Sequence, residues 1–152
     1  MKNLKLISIL LAFLSFTVIS CDEDDAEQVI IDSALPNGTF TVQRSGSLTA
    51  QNGTPTTGTV ELGSDPDGSV FLRFGDNFTT ELATGTVSIY LSTSETFTPD
   101  PANGNPDLMV IGAVARNGEA FFKLNGSVDS KYTHVILWCG TANIPFGNAQ
   151  LQ

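Results

Sequence analysis

Val87-Ser88-Ile89-Tyr90-Leu91-Ser92 sets three aliphatic residues at every second position. A period of two places Val87, Ile89 and Leu91 on one face of an extended chain, which is the pattern of a half-buried β-strand. The same alternation recurs on both sides, in Phe40 and Val42, Val60 and Leu62, and Val70, Leu72 and Phe74. It continues in Ala120, Phe122 and Leu124 and in Val135, Leu137 and Cys139, and a last strand ends at Leu151. Leu108 to Val114 is more continuously apolar, so it is expected as a central strand covered on both faces. Turn signals separate these runs: Asn37-Gly38, Asn52-Gly53, Asp67-Gly68, Asn103-Gly104, Asn117-Gly118, Asn125-Gly126 and seven prolines. Ser92 to Asp107, with Pro99, Pro101 and Pro106, is the longest loop, either functional or a crossover between strands. No long amphipathic helix and no internal repeat is apparent. The expected fold is all-β, a single antiparallel β-sandwich or small barrel of seven to eight strands.

The chain has 152 residues, enough for one domain, and its 41% hydrophobic content with 10 Phe excludes disorder throughout. Lys2 and Lys5 precede an apolar run from Leu6 to Ile19, too short and wrongly flanked for a membrane span, so residues 1–20 read as a secretory signal. Val18-Ile19-Ser20-Cys21 resembles the bacterial lipobox, which implies that Cys21 is lipidated and becomes the new N-terminus. Several acyl chains on one residue bury far more CH₂ than the single chain that binds only marginally, so the membrane is the expected partner of this end.

Asp22, Glu23, Asp24 and Asp25 follow directly, a hydrated, self-repelling block that cannot pack and serves as a tether over residues 21–36. It also resembles the acidic export tags that carry outer-membrane lipoproteins to the cell surface. The resemblance implies surface display, with a periplasm-facing anchor as the alternative. Without residues 1–20 the chain keeps five basic against 16 acidic side chains, a balance of −11. Such a body repels phosphate backbones, which argues against nucleic-acid binding.

In the domain from 37 to 152, the Asn-x-Ser/Thr sites at Asn37, Asn52, Asn77 and Asn125 read as turn chemistry, since Asn and Gly accept positive φ. The loop acids Asp65, Asp67, Asp100 and Asp107 match no calcium-loop pattern, and no metal or cofactor is expected. They remain candidates for a binding surface. His134 is the only imidazole and has no Gly-x-Ser-x-Gly elbow near it, so no catalytic triad, and no enzyme, is expected.

Acylation consumes the sulfur of Cys21 and leaves Cys139 as an unpaired exported thiol. His134 lies five residues before it, and an odd offset on a strand puts the two side chains on opposite faces. Cys139 is either a small buried hydrophobe or a redox thiol, and Trp138 either fills the second face of a sandwich or is a half-exposed contact.

His134-Val135-Ile136-Leu137-Trp138-Cys139 followed by Asn143-Ile144-Pro145-Phe146-Gly147-Asn148-Ala149-Gln150-Leu151 resembles the C-terminal signature of the DM-thirteen domain. Gly38-Thr39-Phe40, Ser45-Gly46-Ser47-Leu48, Gly58-Thr59-Val60, Leu72 to Phe78 and Val87 to Ser92 resemble its earlier strands. Ala83-Thr84-Gly85-Thr86 stands where the family usually has Gly-Pro-Asp-Leu. The resemblance implies electron transfer through the signature cysteine, here Cys139 with Trp138 beside it, toward a redox or surface protein partner. A single thiol then needs an external thiol partner or a sulfenic acid. The alternative from a different class is a non-catalytic cell-surface binding or adhesion module with Cys139 in its core.

Overall fold

The computed structural model describes residues 35–99 and 104–152. The signal segment, Cys21, the acidic block Asp22 to Asp25 and Asp100 lie outside the described residues. Nine strands follow one another: β1 (Thr41–Ser47), β2 (Thr49–Ala50), β3 (Thr59–Ser64), β4 (Val70–Phe74), β5 (Val87–Ser92), β6 (Leu108–Ala113), β7 (Ala120–Lys123), β8 (His134–Cys139) and β9 (Ile144–Gln150). They form two open antiparallel sheets, β1-β3-β4-β7 and β2-β9-β8-β5-β6, so the fold is a sandwich and not a closed barrel. The strand beyond the expected seven to eight is β2, whose two residues are too few to show a period.

Alternation dictates the core. Val60, Leu62, Leu72 and Phe74 of one sheet meet Val87, Ile89, Leu91, Val135, Leu137 and Cys139 of the other, all within 2% of full burial. Burying an aliphatic or Phe side chain of this size contributes about 1.5–3 kcal/mol each. The Asn-Gly turns behave as read: at the Asn52-Gly53 tip both residues take positive φ, 52° and 72°. A two-residue turn of this hand demands that of both its central positions.

Between β1 and β2 the chain leaves one sheet and enters the other without a turn, through buried Leu48. β1 also exchanges backbone hydrogen bonds with the C-terminus, Ser45 N to Gln152 O at 3.0 Å and Gln152 N to Ser45 O at 2.9 Å. Gly46 is required there, because a Cβ would stand 2.3 Å from the Gln150 carbonyl oxygen. The two sheets are thus stitched along the β1/β2 side.

Two expectations are corrected. Leu108 to Val114 does not hold a central strand: among the described residues β6 is an edge paired with β5 alone, and Val110 is 68% exposed. Its inward Met109 and Ile111 reach the core while the outward side is only partly covered, so a continuous apolar run here marks an edge with a hydrophobic outer side. The long loop is not a crossover either, since β5 and β6, the strands it joins, are antiparallel neighbours in one sheet.

The outer face of the four-stranded sheet carries its own small aromatic layer. Phe71 points away from the main core yet is fully buried, because Phe121 stands edge-on to it at 6.3 Å and Phe40 stands edge-on to Phe121 at 5.6 Å. Phe40 precedes β1 and lies over Gly63, so the sequence pairing of Phe40 with Val42 as one inward strand face is not what forms; Val42 is 44% exposed. Arg73 completes the layer, pairing with Glu61 at 3.0 Å and Glu119 at 2.7 Å above the Phe121 ring.

Asp65 holds the β3–β4 turn and the entering chain together: its carboxylate accepts from Ser69 N at 2.9 Å and from Asn37 N at 3.1 Å. Burial alone would raise its pKa, but backbone hydrogen bonds from Asn37, Ser69 and Asp67, helped by Lys123, leave it below the ordinary carboxylate value. A depressed folded pKa contributes stability that is complete above the unfolded value and is lost as pH falls through the folded one. Asp65→Asn is therefore expected to lower the thermal midpoint at pH 7 and to narrow its gap to wild type as the pH falls below the ordinary carboxylate range. Melting curves at pH 7 and at acid pH check this, and an equal gap at both would remove Asp65 as the titrating group.

Candidate functional site

Cys139 ends β8, paired with Val87 of β5 on one side and Ile144 of β9 on the other. Its parity with Val135 and Leu137 aims the thiol inward, and the residue is completely buried. Cys139 is the one free cysteine among the described residues. Two short turns close over the sulfur. From residues 140–143, Ala142 N donates to Sγ at 3.4 Å, and Asn143, at φ 57°, donates its N–H to the Cys139 carbonyl at 2.8 Å. From residues 83–86, the Thr84 hydroxyl lies 3.9 Å from Sγ.

The two turns fit tightly against each other. A Cβ at Gly85, where φ is +132°, would come 2.3 Å from Thr141 Oγ1, and Gly140 N reaches Thr86 O at 3.3 Å. Thr84, Thr141 and Ala142 are themselves exposed, so the cover over the thiol is a single layer of residues. Sequence reasoning does not find these cover residues. The only signal is the departure at Ala83 to Thr86, which turns out to be the stretch that touches the sulfur.

Trp138 faces the opposite way and is half-buried on the outer surface of the five-stranded sheet. It does not fill the space between the sheets. Phe97, from the long loop, stacks on it with ring centres 4.1 Å apart and planes at 22°, and Tyr90 meets Phe97 at 4.9 Å. Ile136 is fully buried on this same strand face. Phe97 is the sole aromatic of a polar loop, which is a readable sign that the loop is pinned at that point.

His134 shares the outward face of β8 and stays apart from Cys139, because β8 keeps an unbroken register against β5 from Val87↔Cys139 to Ser92↔His134. Thr133 Oγ1 donates to the Thr93 carbonyl at 3.2 Å. The same hydroxyl lies 2.9 Å from His134 Nδ1. Among the described residues no group of three or more His, Cys, Asp or Glu side chains is arranged to hold a metal. Of the loop acids, Asp65 is engaged with backbone as described, Asp67 accepts from Asn37 Nδ2 at 2.7 Å, and Asp107 is exposed beside the Asn105 turn.

Chemically, the arrangement offers one sheltered thiol and, one residue away on the other side of the sheet, an aromatic surface. Comparison with known proteins gives a match to the family model Electron transfer DM13 over residues 47–151. The match runs from the end of β1 past β9 and includes Trp138, Cys139 and both cover turns, whereas Gly38 to Phe40 fall outside it. No curated protein and no solved structure matches the chain. With most of the sandwich and the whole thiol site inside the matched stretch, the chain belongs to the Electron transfer DM13 family, and its role is related to electron transfer.

Proposed function

We propose that the chain is a lipid-anchored, exported electron-transfer accessory, not an enzyme, that works through the Cys139 thiol and presents the Trp138 face to a protein partner. The anchor would be Cys21, and the acidic block Asp22 to Asp25 would direct the domain to the outer surface of the outer membrane. The observation that carries the thiol reading is the thinness of its cover. A residue in the middle of a strand is reached only by unfolding the sheet, but Sγ lies beneath two turns whose separation leaves both sheets intact. The redox step balances with a partner disulfide: the Cys139 thiolate attacks one partner sulfur, forms a mixed disulfide and releases the other as a thiolate. Two donor thiols complete the cycle: the first attacks the Cys139 sulfur and releases the acceptor as a dithiol, and the second attacks the donor sulfur now joined to Cys139, freeing the Cys139 thiolate and leaving a donor disulfide, so two electrons pass without a second cysteine on this domain.

One observation favours the other reading, a surface binding module in which Cys139 only fills the core: the sulfur is fully buried between Val87 and Ile144. Alkylation of the full-length chain, read at the Cys139 peptide by mass spectrometry, separates the two. Local opening predicts a native rate well above that allowed by global unfolding and nearly flat at low denaturant. A rate that follows global unfolding, with the full denaturant slope, would make Cys139 a core residue and withdraw the thiol mechanism.

A further inference from the structure

On the side opposite the β1/β2 stitch, the sandwich opens into a cavity of about 250 Å³ between the end of β6 and β7. Phe74, Phe78, Phe121 and Phe122 line it, with Ala120 leaving room and Arg116 at the lining. The walls are built before any ligand arrives. Phe74 and Phe78 are within 1% of full burial with ring centres 4.4 Å apart, and Phe122 stands edge-on to Phe74 at 5.9 Å. An apolar cavity of about 150 Å³ already holds benzene, so this one has room for a ring with a short substituent.

The charge at the cavity is as selective as its shape. The chain carries a net −9, which repels anions in general. Arg116 is exposed, and its guanidinium makes one long hydrogen bond, 3.4 Å to the Glu119 carbonyl. Both ion pairs among the described residues belong to Arg73, which engages the Glu119 carboxylate. Arg116 therefore faces the cavity with donors to spare. A fork of N–H donors beside an apolar wall of Phe122, Val114 and Ala120 matches a carboxylate joined to an aromatic ring.

We propose that this cavity is a binding site for a small aromatic carboxylate, its ring against Phe122, Ala120 and Val114, with buried Phe74 and Phe78 behind them, and its carboxylate on Arg116. The site is independent of the thiol mechanism, and either can fail alone. The probe is 3-phenylpropionate, titrated into the isotope-labelled full-length chain with its neutral amide as the matched control, and read at the Ala113, Ala115 and Ala120 methyl signals. Saturable shifts confined to those methyls are expected, with a Kd of about 1 mM or tighter for a ligand of this size. The amide should bind about fivefold more weakly, the scale of an exposed ion pair. Arg116→Gln should bring the carboxylate down to the amide and leave the amide unchanged. Absence of shifts at these methyls would overturn the proposal, as would equal binding of acid and amide, which would leave an unselective hydrophobic cavity.

Discussion

Phe74→Ala is expected to destabilise the domain by about 3–5 kcal/mol, the range for truncating a fully buried Phe. Phe74 is the hinge of the aromatic packing: it pairs with Val60 on β3 and Ala120 on β7, and its ring touches those of Phe78 and Phe122. Alanine removes both ring contacts, and the neighbours cannot close in, because they already border the 250 Å³ cavity on their other side. Natural domains hold about 5–15 kcal/mol in total, so this one change takes a large share of it. Urea unfolding followed by the fluorescence of the single Trp, Trp138, reports from the opposite sheet, so a shifted midpoint there means that the whole sandwich has lost stability. Val110, at an edge position, is 68% exposed. Its replacement Val110→Ala is the matched control and should stay within about 0.5 kcal/mol. A loss below about 1.5 kcal/mol for Phe74→Ala would mean that the aromatic layer relaxes more than its packing suggests.

Gly85→Ala is expected to raise the native alkylation rate of Cys139 by about 10- to 100-fold, with global stability lowered by the same strain, about 1–3 kcal/mol. The added Cβ meets Thr141 Oγ1 at 2.3 Å and Thr141 Cβ at 2.8 Å, and φ of +132° is itself strained for an L side chain. Strain of this kind costs about 1–3 kcal/mol. The cheapest relief is to part the two turns, because Thr84, Thr141 and Ala142 already face solvent on their outer side. Each increment of about 1.4 kcal/mol placed on the closed form multiplies the open population about tenfold. The readout is the ratio of native to denatured alkylation rates in wild type and variant, with urea midpoints measured alongside. A rate that rises only in step with global unfolding, keeping the full denaturant slope, would show that the turns cannot part independently of the sheets.

The sandwich is legible in the sequence because its strands are half-buried: Val87-Ile89-Leu91 and Val135-Leu137-Cys139 need only parity to reveal which side faces in. The same parity sets Cys139 inward, Trp138 outward and His134 apart from the thiol. Parity fails where a strand is short or where an outer face is also apolar. β2 has two residues and gives no period, and β6 reads as central because hydrophobic residues on both sides of a strand are ordinarily buried ones. The cover of the thiol is invisible for a different reason. Thr84 stands 55 residues from Cys139, and neither it nor Ala142 carries a chemical type that announces a contact with sulfur. Phe97 announces that its loop is pinned but not to what, and its landing on Trp138 is decided by where the loop falls. Arg116 carries no sequence signal, because an isolated arginine after a strand is ordinary until the fold sets it at the mouth of an apolar cavity.

The strand that passes from one sheet to the other gives the sandwich a spine. Like a bound book, the domain cannot open along β1 and β2, where one run of chain belongs to both covers and the C-terminus is laced to Ser45. The fore-edge, where β6 and β7 end their sheets, has its own shorter tie, since residues 114–119 carry the chain from one cover to the other, and the aromatic cavity lies along it. A guest held there would touch both covers at once, Ala113 at the end of β6 on one side and Ala120 and Phe122 of β7 on the other, and would act as a clasp between them.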